Sequence, residues 1–146
     1  MRVKLFSLIT AVFISSALFA TEPRLETIAA SGGSNLFLSY LSIGLLADTF
    51  PKEVYEKKQT ISLLTSVVEQ AKIQKDYLDK LIKLKDVSKD DAAYFKKMID
   101  SYTLLMEEGN HLLEYMNTGD EASLKAYENS REKARVLISG ILGFDK

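Results

Sequence analysis

The chain has 146 residues, 47% of them hydrophobic and 27% charged, with a formal net charge of −1, one histidine and no cysteine. These figures describe a globular protein of one domain. They exclude disulfides, thiolate metal centres, iron–sulfur clusters and cysteine nucleophiles, and two prolines with seven glycines are too few for a turn-rich β architecture, which leaves helices.

Arg2 and Lys4 precede an uncharged run from Leu5 to Ala20 that ends in Ser16-Ala17-Leu18-Phe19-Ala20, the form of a secretory signal peptide occupying residues 1–20. Cleavage is expected after Ala20, with Ala17 as the alternative. Retention as a membrane anchor is the competing reading, since the run falls just short of the ~20 residues a spanning helix requires. After cleavage no stable membrane span is expected, and the destination is the periplasm or the exterior. Loss of residues 1–20 removes two basic side chains and no acid, leaving 126 residues with a net charge of −3. A mildly acidic domain does not suit nucleic acid or anionic lipid. Without disulfides, such a domain has to rest on its hydrophobic core.

Residues 21–33 contain Pro23 and end in the small-residue cluster Ser31-Gly32-Gly33-Ser34, which reads as a flexible leader before a single bundle domain at 34–146. A first helix is predicted at about 34–48, where Asn35 to Ala47 is apolar almost all round and must be buried on most faces. Phe50-Pro51 stops it, and Pro51 is placed in the first turn of a second helix at about 51–86. Val54, Lys57, Ile61, Leu64, Val68, Ala71, Lys75, Leu78 and Ile82 recur there at helical spacing, all apolar but the two lysines.

Ser88, followed three residues later by Asp91, predicts the start of a third helix at about 89–117. Phe95, Met98, Tyr102, Leu105, Gly109, Leu112 and Met116 form its inner row. Thr118-Gly119-Asp120-Glu121 joins a helix stop to a start, with Thr118 or Asp120 as the cap. The fourth helix, about 120–142, carries Leu124, Tyr127, Arg131, Ala134, Ile138 and Ile141 inward. Short connections make neighbouring helices antiparallel, so the expected fold is an all-α, up-down-up-down four-helix bundle with two long central helices. The first and fourth helices are too short to match the central pair. Either the leader lengthens the first helix or the central hairpin protrudes.

Folding the third helix on the fourth about Gly119 brings Tyr127 near His111 and Arg131 near Glu107 or Glu108. Glu108, His111, Tyr127 and Arg131 are therefore the candidate ligand-binding set, a small polar pocket over the gap at Gly109. The plainer alternative is a core-edge salt bridge with a solvated histidine. Glu108-x-x-His111 is half of a di-iron motif, but the chain has no second histidine, and no haem attachment sequence occurs. No cofactor, metal or catalytic residue is assigned. The apolar first helix supplies the candidate partner-contact residues Leu36, Phe37, Leu38, Tyr40 and Leu41. The expected activity is binding, to another exported protein or to a second copy of the chain, with an extracytoplasmic small-ligand site as the alternative.

Overall fold

The computed structural model describes residues 23–144, which form four helices: α1 (Pro23–Thr49), α2 (Lys57–Leu81), α3 (Lys89–Thr118) and α4 (Glu121–Leu142). They pack antiparallel in sequence order as an all-α four-helix bundle. The predicted signal peptide and its expected cleavage site lie outside the described residues. Among the described residues no helix is long and apolar enough to cross a membrane.

Three boundaries differ from the sequence reading. The leader is helical from Pro23, so α1 begins well before residue 34 and Ser31-Gly32-Gly33-Ser34 lies inside it. Glycine in a helix costs about 1 kcal/mol relative to alanine, and here tertiary packing outweighs that. Leu25, Ala29, Gly33, Leu36 and Ile43 are buried along one stripe, and the Tyr102 hydroxyl of α3 donates to the Gly32 carbonyl at 3.1 Å. The glycines are where α1 comes close to its neighbours. A Cβ on Gly32 would collide with the Met98 methyl of α3, and one on Gly33 would lie 3.3 Å from Leu142 of α4.

The second boundary is at Pro51. Phe50–Lys52 forms a short 3-10 turn that ends α1, and Glu53 takes a left-handed φ of 51°. The α2 helix starts only at Lys57, so Val54 lies outside it and is exposed. At the other end α2 stops at Leu81 instead of residue 86. With these limits α1 is about 40 Å long, α2 about 37 Å, α3 about 45 Å and α4 about 33 Å. The expected mismatch is resolved largely by the longer α1.

The remaining start and stop signals act as expected. Ser88 accepts a hydrogen bond from the Asp91 N–H at 3.1 Å. Asp120, rather than Thr118, caps α4, accepting from the Ser123 N–H at 3.0 Å, and Gly119 supplies the left-handed residue (φ 73°) between α3 and α4.

The α3 helix is the hub, packing against all three others, with α2 and α4 flanking it on opposite sides. Phe95, Met98, Tyr102, Leu105, Leu112 and Met116 of its inner row are fully or nearly fully buried. The α1 helix rests over α3 and seals its seam with α4 through an edge-to-face contact of Phe37 with Phe144, centroids 5.6 Å apart. Its seam with α2 carries furrows along its outer side.

If the segment before residue 34 is docked, Leu25→Ala destabilises the protein by about 2–4 kcal/mol, the cost of emptying a buried leucine site. Urea unfolding reads this as a lower midpoint at unchanged slope. A midpoint equal to wild type shows a loose leader.

Candidate functional site

Of the four residues in the predicted polar set, the structure brings three together. Arg131 reaches inward from α4 and donates from Nη1 to Glu108 Oε1 on α3 at 2.7 Å and to the Tyr40 carbonyl of α1 at 3.3 Å. Its guanidinium lies over the Tyr40 ring, 4.2 Å from the centroid, a stacked cation–π contact. Tyr127, one turn before Arg131, is buried beside them. His111 sits half-buried one turn beyond Glu108 and joins none of these hydrogen bonds.

The gap that admits Arg131 is at Gly44 and not, as the sequence suggested, at Gly109. A Cβ on Gly44 would fall 2.8 Å from the guanidinium carbon, so any larger residue there displaces the arginine. The space at Gly109 is taken instead by Val68 of α2, whose methyl occupies the position of a Cβ. Sequence reasoning missed Gly44 and the placement of Tyr40 under Arg131, because both depend on how α1 lies against α4. The inward position of Arg131 was the available signal: a buried cation needs partners from every helix it meets.

The Glu108 side chain is fully buried while Arg131 keeps 28% exposure, and Oε2 of Glu108 has no hydrogen-bond partner. Burial therefore pushes the Glu108 carboxyl up to about 7, although the Arg131 hydrogen bond and charge pull the other way. Burial is the largest single influence on Arg131 and works against its charge, but the Glu108 hydrogen bond together with the charges of Glu108, Tyr127 and Tyr40 outweighs it, and the guanidinium is held above its ordinary value. The contact favours the cation more than the anion, since only the carboxylate has lost all its water. Burial raises Tyr127 to about 12 against a smaller lowering by Arg131. Tyr127, and Tyr40, which burial also raises, are neutral phenols at neutral pH, not bases.

The furrows along the α1–α2 seam are lined by none of Glu108, His111, Tyr127 and Arg131, and no group of three or more acidic or histidine side chains among the described residues suits a metal ion. What the cluster does chemically is fasten α1, α3 and α4 with one charge-assisted bond and one stacked ring.

The predicted partner-contact residues divide. Leu36 is wholly buried in the core, Phe37 packs on Phe144, and Tyr40 lies under Arg131. Leu38 and Leu41 face outward, joined by Leu45 one turn further on. An unbroken apolar run hides which residues point out, because α1 is apolar on both sides.

The shift at Glu108 fixes the sign of a pH effect. A carboxyl whose folded value lies above its ordinary one favours the fold when protonated. That stability is complete below about pH 4.5 and is lost as pH rises through about 7, at up to ~1.4 kcal/mol per pH unit. Glu108→Gln removes this slope, so chemical-denaturation curves of variant and wild type diverge with rising pH. A parallel pair of stability–pH profiles contradicts it. Arg131→Met leaves the buried carboxyl unpaired and costs about 3–5 kcal/mol above neutrality, with a far smaller loss at pH 5. Comparison of the chain with protein-family models, curated proteins and solved structures finds no match, so its function has to be argued from these surfaces and contacts.

Proposed function

We propose that the chain is exported and acts by binding another polypeptide, without catalysing a reaction. The observation that carries this reading is the seam between α1 and α2. Leu38 and Leu45 of α1, 58% and 63% exposed, stand along it opposite Leu63 and Tyr77 of α2. Between them run two furrows that meet at Asn35. One, of about 520 Å³, extends towards Ile28 and Leu84; the other, of about 560 Å³, extends towards Thr49 and Tyr55.

The furrow has leucine walls and a rim of Ser, Thr, Asn and Gln, and among its lining residues only Lys80 is charged. Depletion of charge around an apolar centre distinguishes contact surfaces from the remainder of a protein exterior. Contiguous exposed apolar surface is rare on chains that work alone, and a groove between two helices is a common seat for an apolar helix face. Against a small-ligand function, the Glu108–Arg131 cluster satisfies its arginine internally and lines neither of these furrows.

A photo-crosslinking amino acid placed at Leu45, in protein expressed in its native host, is expected to yield a polypeptide adduct. The same probe at the exposed Lys133 on α4 is expected to yield none. Absence of any adduct from position 45 rejects the binding role. Export is tested separately by N-terminal sequencing of the cellular protein. A first residue of Thr21 or Leu18 supports it, and a chain that still begins at Met1 contradicts it.

A further inference from the structure

We infer that the α1–α2 seam is occupied by a second copy of this chain, docked about a two-fold axis so that α1 lies antiparallel to its counterpart. The inference rests on the binding role proposed above and names the partner.

The first argument is charge. From Thr27 to Ala47 there is no charged residue, in a chain of which 27% is charged. In a two-fold contact the same patch meets itself, so residues near the axis face their own copies. A charge there is opposed by a like charge, and a face that pairs with itself does best with none. An unrelated partner imposes no such condition and is commonly steered by complementary charges at the contact.

The second argument is shape. The outward face of α1 carries Leu38, Leu41 and Leu45 as a ridge, and Leu38 and Leu45 also form the lip of the furrow, whose wall on this helix continues through Ser39, Ser42 and Leu46. One copy's ridge can thus enter the other's furrow while receiving the reciprocal ridge. Ser42, small and midway between Leu38 and Leu45, is where two such helices approach most closely.

The third argument is that part of the polar rim is already satisfied. The hydroxyls of Ser42, Thr49 and Ser66 donate to the carbonyls of Leu38, Leu45 and Ser62 at 2.7, 2.7 and 3.0 Å. These three donors are satisfied within their own helices, so covering them leaves their hydroxyl hydrogens paired.

Area sets the expected strength. The face is about 30 Å along the helices and about 20 Å across two of them, a footprint of roughly 600 Å² per copy against about 800 Å² for a standard interface. That size fits a reversible dimer better than an obligate one.

Sedimentation equilibrium of the protein produced from its full-length sequence, from low micromolar to near-millimolar concentration, is expected to show a monomer–dimer equilibrium. Leu45→Glu should weaken it by about tenfold or more, with the helical circular dichroism retained. Leu137→Glu, at an exposed position on α4, should leave it unchanged. In this chain without cysteines, Ser42→Cys should give a disulfide-linked dimer on mild oxidation, and Lys133→Cys should not. A monomer at every concentration overturns the inference, as does a dimer indifferent to Leu45→Glu or equally weakened by Leu137→Glu. A monomeric protein whose position 45 crosslinks to a different polypeptide overturns self-association alone and leaves the binding role standing.

Discussion

Where α1 meets α3, the backbone at Gly32 accepts a hydrogen bond from Tyr102 and leaves no room for a Cβ beside Met98. Two helices can approach only as closely as their side chains permit, and ordinary contacts hold axes 8–10 Å apart. The small residues of α1 let it settle onto the hub helix and against α4. The order of packing follows from this. The α1–α4 seam closes around Phe37, Phe144 and Leu142, and the α1–α2 seam, in contact on its inner side, carries furrows along its outer side. The apolar furrow is thus the far side of a tight contact, not a defect in the core.

The two seams differ in chemistry as well as width. On the α4 side the cation of Arg131 fills the notch at Gly44, is covered by a tyrosine ring and ends on a carboxylate with no exposed surface. Such a pair adds little net stability, since its desolvation nearly cancels its attraction. It does fix the register of α1 against two partners, because the guanidinium fits only where a glycine faces it. On the α2 side the charged contact is an exposed pair at one end, Arg24 with Asp86 at 3.3 Å, and along the rest of the seam leucine side chains meet solvent. The geometry of α1 is thereby set from one side and left free for contact on the other.

Much of this was legible in the residues. The inner row of α3, the Ser88 and Asp120 starts and the Glu108–Arg131 pairing all follow from local spacing and one short connection. These are interactions within a helix or between neighbours in an antiparallel hairpin, where counting residues is enough. What could not be read depends on α1. Ser31-Gly32-Gly33-Ser34 carries the composition of a joint, and only the bulk of Met98, Tyr102 and Leu142 on other helices makes it a contact. Gly44 gives no sign in the sequence of the arginine it receives. Glu53, by contrast, takes a left-handed conformation that a glycine would have advertised.

The unpartnered oxygen of Glu108 has a consequence for the proton inventory of the whole molecule. Released into solvent, that carboxyl is ionised at neutral pH; enclosed in the bundle, where burial pushes it up to about 7, it keeps its proton to higher pH. Folding in neutral, weakly buffered solution therefore withdraws a fraction of a proton per chain. The folded protein is correspondingly less anionic than its amino-acid count implies. Its titration curve and that of the denatured chain part company between about pH 4.5 and 7, so that acid uptake reports on how many molecules are folded.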